Sequence, residues 1–191
     1  METVTQATAS TADVVRDYLA QLHEQRERLF TDMAGLSAPE IWFRPNPRTW
    51  SIGENLDHLC VINASTLRLV RWAWRILQPW ARRRRRLPYA VTIDNVYQRP
   101  NFPQNVGWIW PPKHTPLKPI APAELQANLR AVHTAYEQFY GPREVDLLGH
   151  IWLPDPAIGR INLIVTLRIG LYHDELHFDE IRRRLPQFAG G

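Results

Sequence analysis

Cysteine is nearly absent from this chain. Cys60 is the only one among 191 residues, which excludes an intramolecular disulfide and any zinc knuckle built on thiolates. Long apolar runs are lacking too. No uninterrupted stretch approaches the roughly 20 residues that a membrane-spanning helix needs, so no membrane association is expected. The N-terminus, METVTQATASTADVV, has no basic start followed by an apolar block. Without a secretory signal, the expected location is the cytoplasm. No phosphate-cradling loop, Ser-His-Asp arrangement or carboxylate pair stands out, and there are no internal repeats.

The formal charge is +4, but its source is local: Arg82–Arg86 is a run of five arginines, and without it the balance turns slightly negative. A nucleic-acid surface would need basic charge spread over a face with aromatics interleaved, so nucleic acid is not the expected partner. Arginines past a helix end complement the negative end of its dipole. The alternative is a non-catalytic interaction module, with Arg82–Arg86 contacting an acidic partner.

With 45% hydrophobic and 22% charged residues, one domain spanning 1–191 is expected, with a flexible tail over 1–11. Four stretches carry a helical period. The first is Ala12–Gly35, with Val15, Leu19, Leu22, Leu29 and Met33 on one side and Thr11 as its cap. A loop punctuated by Pro39, Pro45 and Pro47 follows. The second helix starts at Ser51 with Glu54 three residues on, a capping box. It continues through Leu56, Leu59, Ile62, Leu69 and Ala73 to Leu77, and Pro79 is expected to end it. Ala123–Tyr140 is the third, stopped by Gly141-Pro142. A turn-rich link over 149–162 then leads to the fourth, Leu163–Leu185, with Asn162 as its cap. Between the second and third lies an irregular crossover, 81–122, with eight prolines but also Tyr89, Val91, Ile93, Tyr97, Phe102, Trp108 and Trp110. Prolines forbid regular structure there, and the aromatics argue against disorder, so the crossover should pack across the helices. The fold class is all-α, a four-helix bundle with one long crossover.

The chemistry gathers on the fourth helix. His173 and His177 lie one turn apart on one face, close enough to share an ion, and Gly170 leaves open space beside them. Two imidazoles do not close a metal site. His58, inside the second helix, is the third candidate, because bundle metal sites take inward side chains from facing helices. Three neutral imidazoles leave a position for water or substrate and accept zinc, nickel, iron or copper. Glu54 is read first as the cap, with orientation of the His58 ring as its other role. Asp174 interrupts the apolar stripe and should pair with an arginine or a ligand histidine. Trp50 is read as a core anchor, Cys60 as a buried small residue, and His23 and His133 as surface residues. His114 and His150 fall in loops with no identifiable partner.

These residues carry a resemblance. Trp50-Ser51-Ile52-Gly53-Glu54-Asn55-Leu56-Asp57-His58-Leu59 is similar to the W-[ST]-x-x-E-x-x-x-H-L signature of the DinB/YfiT-like family. Pro156-Ala157-Ile158-Gly159-Arg160-Ile161, followed by His173-x-x-x-His177-x-x-x-Ile181, resembles its P-x-[LI]-G-x-[LIV] and H-x-x-x-H-x-x-[QE]-I segments, with Glu180 where Gln is usual. The resemblance spans nearly the whole chain and fits worst over the Arg- and Pro-rich crossover. It implies a four-helix bundle, often a homodimer, with a divalent metal on His58, His173 and His177. It also implies a small-molecule substrate, and a reaction of the thiol S-transferase or hydrolase kind, the former using a low-molecular-weight thiol.

Overall fold

A computed structural model describes residues 11–100, 109–155 and 158–188. Residues 1–10 of the expected tail lie outside the described residues, as do Phe102 and Trp108 of the crossover and Pro156 and Ala157.

Among the described residues the protein is all-α apart from one hairpin. The long helices are α1 (Thr11–Asp32), α3 (Ile52–Arg84), α4 (Pro122–Tyr140) and α6 (Leu163–Arg182); α2 (Ala38–Ile41) and α5 (Val145–His150) are short. α1 packs on α4 and α6, and α3 packs on the same two helices. Strands β1 (Trp152–Asp155) and β2 (Gly159–Asn162) form an antiparallel hairpin just before α6.

Local chemistry explains the helix starts. Ser51 accepts from the Glu54 N–H at 3.1 Å while the Glu54 carboxylate accepts from the Ser51 N–H at 2.9 Å, so the capping box opens α3 as expected. Asn162 opens α6 by accepting from the Val165 N–H at 2.9 Å. Thr11 already lies within α1, so it is not the cap expected of it.

The expected stop at Pro79 is overturned. α3 runs through it to Arg84, because Ala81 beyond the proline is fully buried and holds the chain against the core. Arg82, Arg83 and Arg84 therefore form the last turn of α3, with Arg84 over the Trp80 ring at 4.3 Å and Arg85 paired with Glu144 at 3.0 Å. At the other end of the chain, α6 stops at Arg182, a turn short of Leu185, which lies in a 3₁₀ turn.

The core is split by polar residues. One apolar cluster includes Leu22, Leu67, Tyr136 and Leu171; the other includes Leu29, Leu59, Leu129 and Phe178. Between these levels each long helix contributes a buried polar residue: Arg26, Asn63, His133 and Asp174. Asp174 accepts from Arg26 Nε at 2.7 Å and from Asn63 Nδ2 at 3.2 Å, so the arginine partner expected for it is Arg26. His133 is buried, contrary to the surface position expected. It lies one turn from both Leu129 and Tyr136, on the inward face of α4, with Glu137 at 3.4 Å.

The crossover packs on this body. Val96 is fully buried in a 3₁₀ turn, Val96–Gln98. Tyr89 lies so close to Gly149 that a Cβ there would strike its ring, a close approach that glycine permits. Tyr89 also donates to Asp146 at 2.9 Å, while His150 Nε2 meets the Leu87 carbonyl at 3.1 Å, a partner the sequence does not reveal.

Candidate metal centre

The first turns of α3 and the middle of α6 face each other, and this brings His58, His173 and His177 together. One nitrogen from each lies within 4.8 Å of the others, close enough for a single ion to be reached by all three. Ring centroids stand 5.3 Å apart for His58 and His173, 4.8 Å for His58 and His177, and 4.7 Å for His173 and His177.

Two of the rings have assigned tautomers. His58 Nδ1 is 2.7 Å from the Trp110 carbonyl. A carbonyl only accepts, so Nδ1 carries the proton and Nε2 keeps its lone pair. His177 Nδ1 is 2.7 Å from Asn55 Oδ1, and Asn55 Nδ2 donates to the Ser51 carbonyl at 2.9 Å. That second bond fixes which end of the amide faces the histidine, so His177 likewise donates through Nδ1. Such outer hydrogen bonds orient metal-binding imidazoles and raise their basicity.

All three rings are held neutral. Burial lowers His58, and it lowers His173 well below the usual histidine range, with the neighbouring His177 and His58 adding to it. Burial, then His58, takes His177 down to about 3. Neutral imidazoles with free lone pairs are the form a divalent ion needs, so these residues fit such an ion.

Of the neighbouring side chains, Trp50 departs from its expected role as a core anchor, whereas Glu54 keeps the capping role read first for it. Trp50 is half-buried and lies against the cluster, 5.0 Å from His58 and stacked on His177 at 6.3 Å. Glu54 turns away from His58: its carboxylate is occupied by Ser51 and by Arg44, whose Nε donates at 2.7 Å. Burial alone would raise Glu54, but these hydrogen bonds prevail and hold it below the ordinary carboxylate value. Orientation of His58 falls to the Trp110 carbonyl, supplied by the crossover. Asp57 holds that part of the crossover in place, accepting from the backbone N–H groups of Lys113 and His114 and pairing with His114 Nδ1 at 2.8 Å. Cys60 is largely enclosed, and burial, then Asp57, pushes its thiol up to about 12, so it stays protonated. Tyr97, with its ring 5.6 Å from His173, is also raised by burial and keeps its hydroxyl proton.

Sequence reasoning missed Asn55, Asp57 and the Trp110 carbonyl. Asn55 and Asp57 are polar residues inside a stretch of α3 that is buried all round, from Ser51 to Leu59. An apolar moment cannot show that pattern; the signal available was their closeness in sequence to His58.

Fold and site together define an all-α protein with a candidate three-histidine metal centre. The model of the DinB superfamily matches residues 21–181, and the chain belongs to that superfamily. No curated protein and no solved structure matches it. Among the described residues, no helix is long and apolar enough to cross a membrane.

Proposed function

We propose that this is a metal-dependent enzyme, with a divalent ion held by His58, His173 and His177, that promotes attack of a thiol or water on an electrophilic small molecule. The observation that carries this reading is the convergence of three neutral imidazoles, two of which present Nε2 with its lone pair free. Zinc, nickel and iron all accept such a ligand set. A bound ion supplies Lewis acidity, which lowers the pKa of a thiol or water enough to give a nucleophile near neutral pH.

The chain's own residues set the geometry. Asn55 and the Trp110 carbonyl lock two rings, and Trp50 covers one side of the cluster. Cys60 is not the nucleophile, because its buried thiol stays protonated. In thiol transfer the incoming sulfur bonds to the electrophilic carbon while the leaving group departs with its electron pair, and the thiol proton passes to solvent. Water takes the place of the thiol in hydrolysis. A low-molecular-weight thiol is therefore the proposed co-substrate for transfer.

Turnover tests this reading. His177→Ala should abolish thiol-transfer or hydrolysis activity while the circular dichroism spectrum stays helical. Full turnover in a metal-free His177→Ala protein would overturn it. The acidic-partner alternative draws less support, since Arg84 and Arg85 already engage Trp80 and Glu144 within the protein.

A further inference from the structure

Next to the histidines, α3, α6, the hairpin and the crossover enclose a cavity of about 250 Å³. His173 is the one histidine of the three that lines it, so the cavity adjoins the candidate metal centre from a single side. Its size falls just below the roughly 300–1,000 Å³ of sites for drug-sized ligands, which suits a molecule of one or two rings.

The wall is apolar and aromatic. Trp72, Tyr97 and Trp110 contribute ring faces, and Leu69 and Ile169 contribute aliphatic surface. Leu69 was expected to continue the buried stripe of α3, but it is 52% exposed and Trp72 60%, and the core is reached through Leu67 and Val70. Their exposure has a use here: both also line a wider mouth together with Trp110, Ser65 and Arg68, whose guanidinium donates to the Ser65 hydroxyl at 3.0 Å.

Inside the mouth, the cavity wall offers an anion no cationic side chain, containing no arginine or lysine among the described residues. Asn63 Nδ2 donates to the Leu59 carbonyl and Asp174, the Tyr136 hydroxyl to the Asn63 carbonyl, and the Thr166 hydroxyl to the Asn162 carbonyl. The carboxylate present is Asp155, which accepts from the Ile158 N–H at 2.9 Å and disfavours an anion nearby.

Gly170 limits the cavity on the α6 side. A Cβ built there meets nothing within 4 Å, and the glycine lies on the lining one turn before His173. A side chain added there would start out into the open volume.

We infer that the substrate of this site is a neutral, largely apolar molecule of one or two rings, seated among Trp72, Tyr97 and Trp110, and that Gly170 sets the size it accepts. Calling this molecule the substrate rests on the metal-centre reading above; its binding in the cavity does not.

The test is isothermal titration of the full chain, as purified and after chelator treatment, with 2-naphthol and with naphthalene-2-sulfonate. The neutral compound should bind with or without metal, and the sulfonate should bind about tenfold more weakly or less. Gly170→Leu and Trp72→Ala should each weaken 2-naphthol binding about tenfold, with helicity and metal content unchanged. Trp72 is exposed, so its removal keeps the test alive should the Gly170 variant misfold. Equal binding of the sulfonate, or full 2-naphthol affinity in both variants, would overturn the inference. A protein that holds no metal as purified or after reconstitution, yet still binds 2-naphthol, would instead count against the metal-centre reading and leave the cavity inference standing.

Discussion

Asn55 Oδ1 accepts a hydrogen bond from His177 Nδ1 at 2.7 Å, tying the first turn of α3 to the middle of α6. The same amide donates to the Ser51 carbonyl, so its orientation is set by the helix cap. Asn55→Leu should therefore lower metal affinity by about 10- to 100-fold, the usual cost of losing such a partner. Competition with a calibrated chelator measures this. Affinity equal to wild type would show that the amide does not orient the ring.

Arg26 and Asp174 form an ion pair at 2.6 Å in the polar layer, with side-chain exposures of 3% and 0%. Breaking such a pair from one side strands a buried charge. Asp174→Asn is expected to cost about 3–5 kcal/mol, read as a lowered urea midpoint. Arg26→Met combined with Asp174→Leu should recover much of that loss, because no charge is left unpaired. A double variant as unstable as the single one would contradict this account.

How much of this was legible in the sequence depends on the kind of signal. The three histidines were readable because two share a helix face and the third follows a capping box with a recognisable pattern. Pro79 misled because its local cost was outweighed by packing further on: Ala81 is fully buried, and no residue beside the proline announces that. The hairpin was hidden for a similar reason. Its strands are four residues long and one contains Pro154, yet a two-stranded sheet has only edges, where proline is tolerated. His114 and His150 looked unpartnered because Asp57 and the Leu87 carbonyl are 57 and 63 residues away from them. Contacts across such separations leave no periodic trace.

Pro79 gives its own prediction. It is exposed inside α3, where it removes one backbone hydrogen bond. Pro79→Ala should stabilise the protein by about 1–2 kcal/mol, the helix gain being partly offset by a freer unfolded chain. Thermal unfolding checks this, and a lower midpoint would mean that the proline fits its site better than alanine.

The histidines predict how the metal-free protein responds to pH. In the native state burial keeps His177 neutral down to about 3, whereas the unfolded chain protonates it near 6.5. Between those values the unfolded state binds more protons, so stability falls as pH falls, by up to about 1.4 kcal/mol per pH unit for each such group. Above the upper value this contribution is constant. Urea midpoints measured from about pH 7.5 to about pH 5 should decline only below about 6.5, and a rise on acidification would contradict the neutral assignment.

The central claim is that α3 and α6 share one metal ion, and elemental analysis tests it most directly. Protein purified without a metal-chelating tag should carry close to one divalent ion per chain, and His58→Ala should lose it while remaining helical. Absence of metal from the wild-type protein, even after reconstitution with zinc, nickel and iron, would contradict the account and leave the three histidines as packing residues.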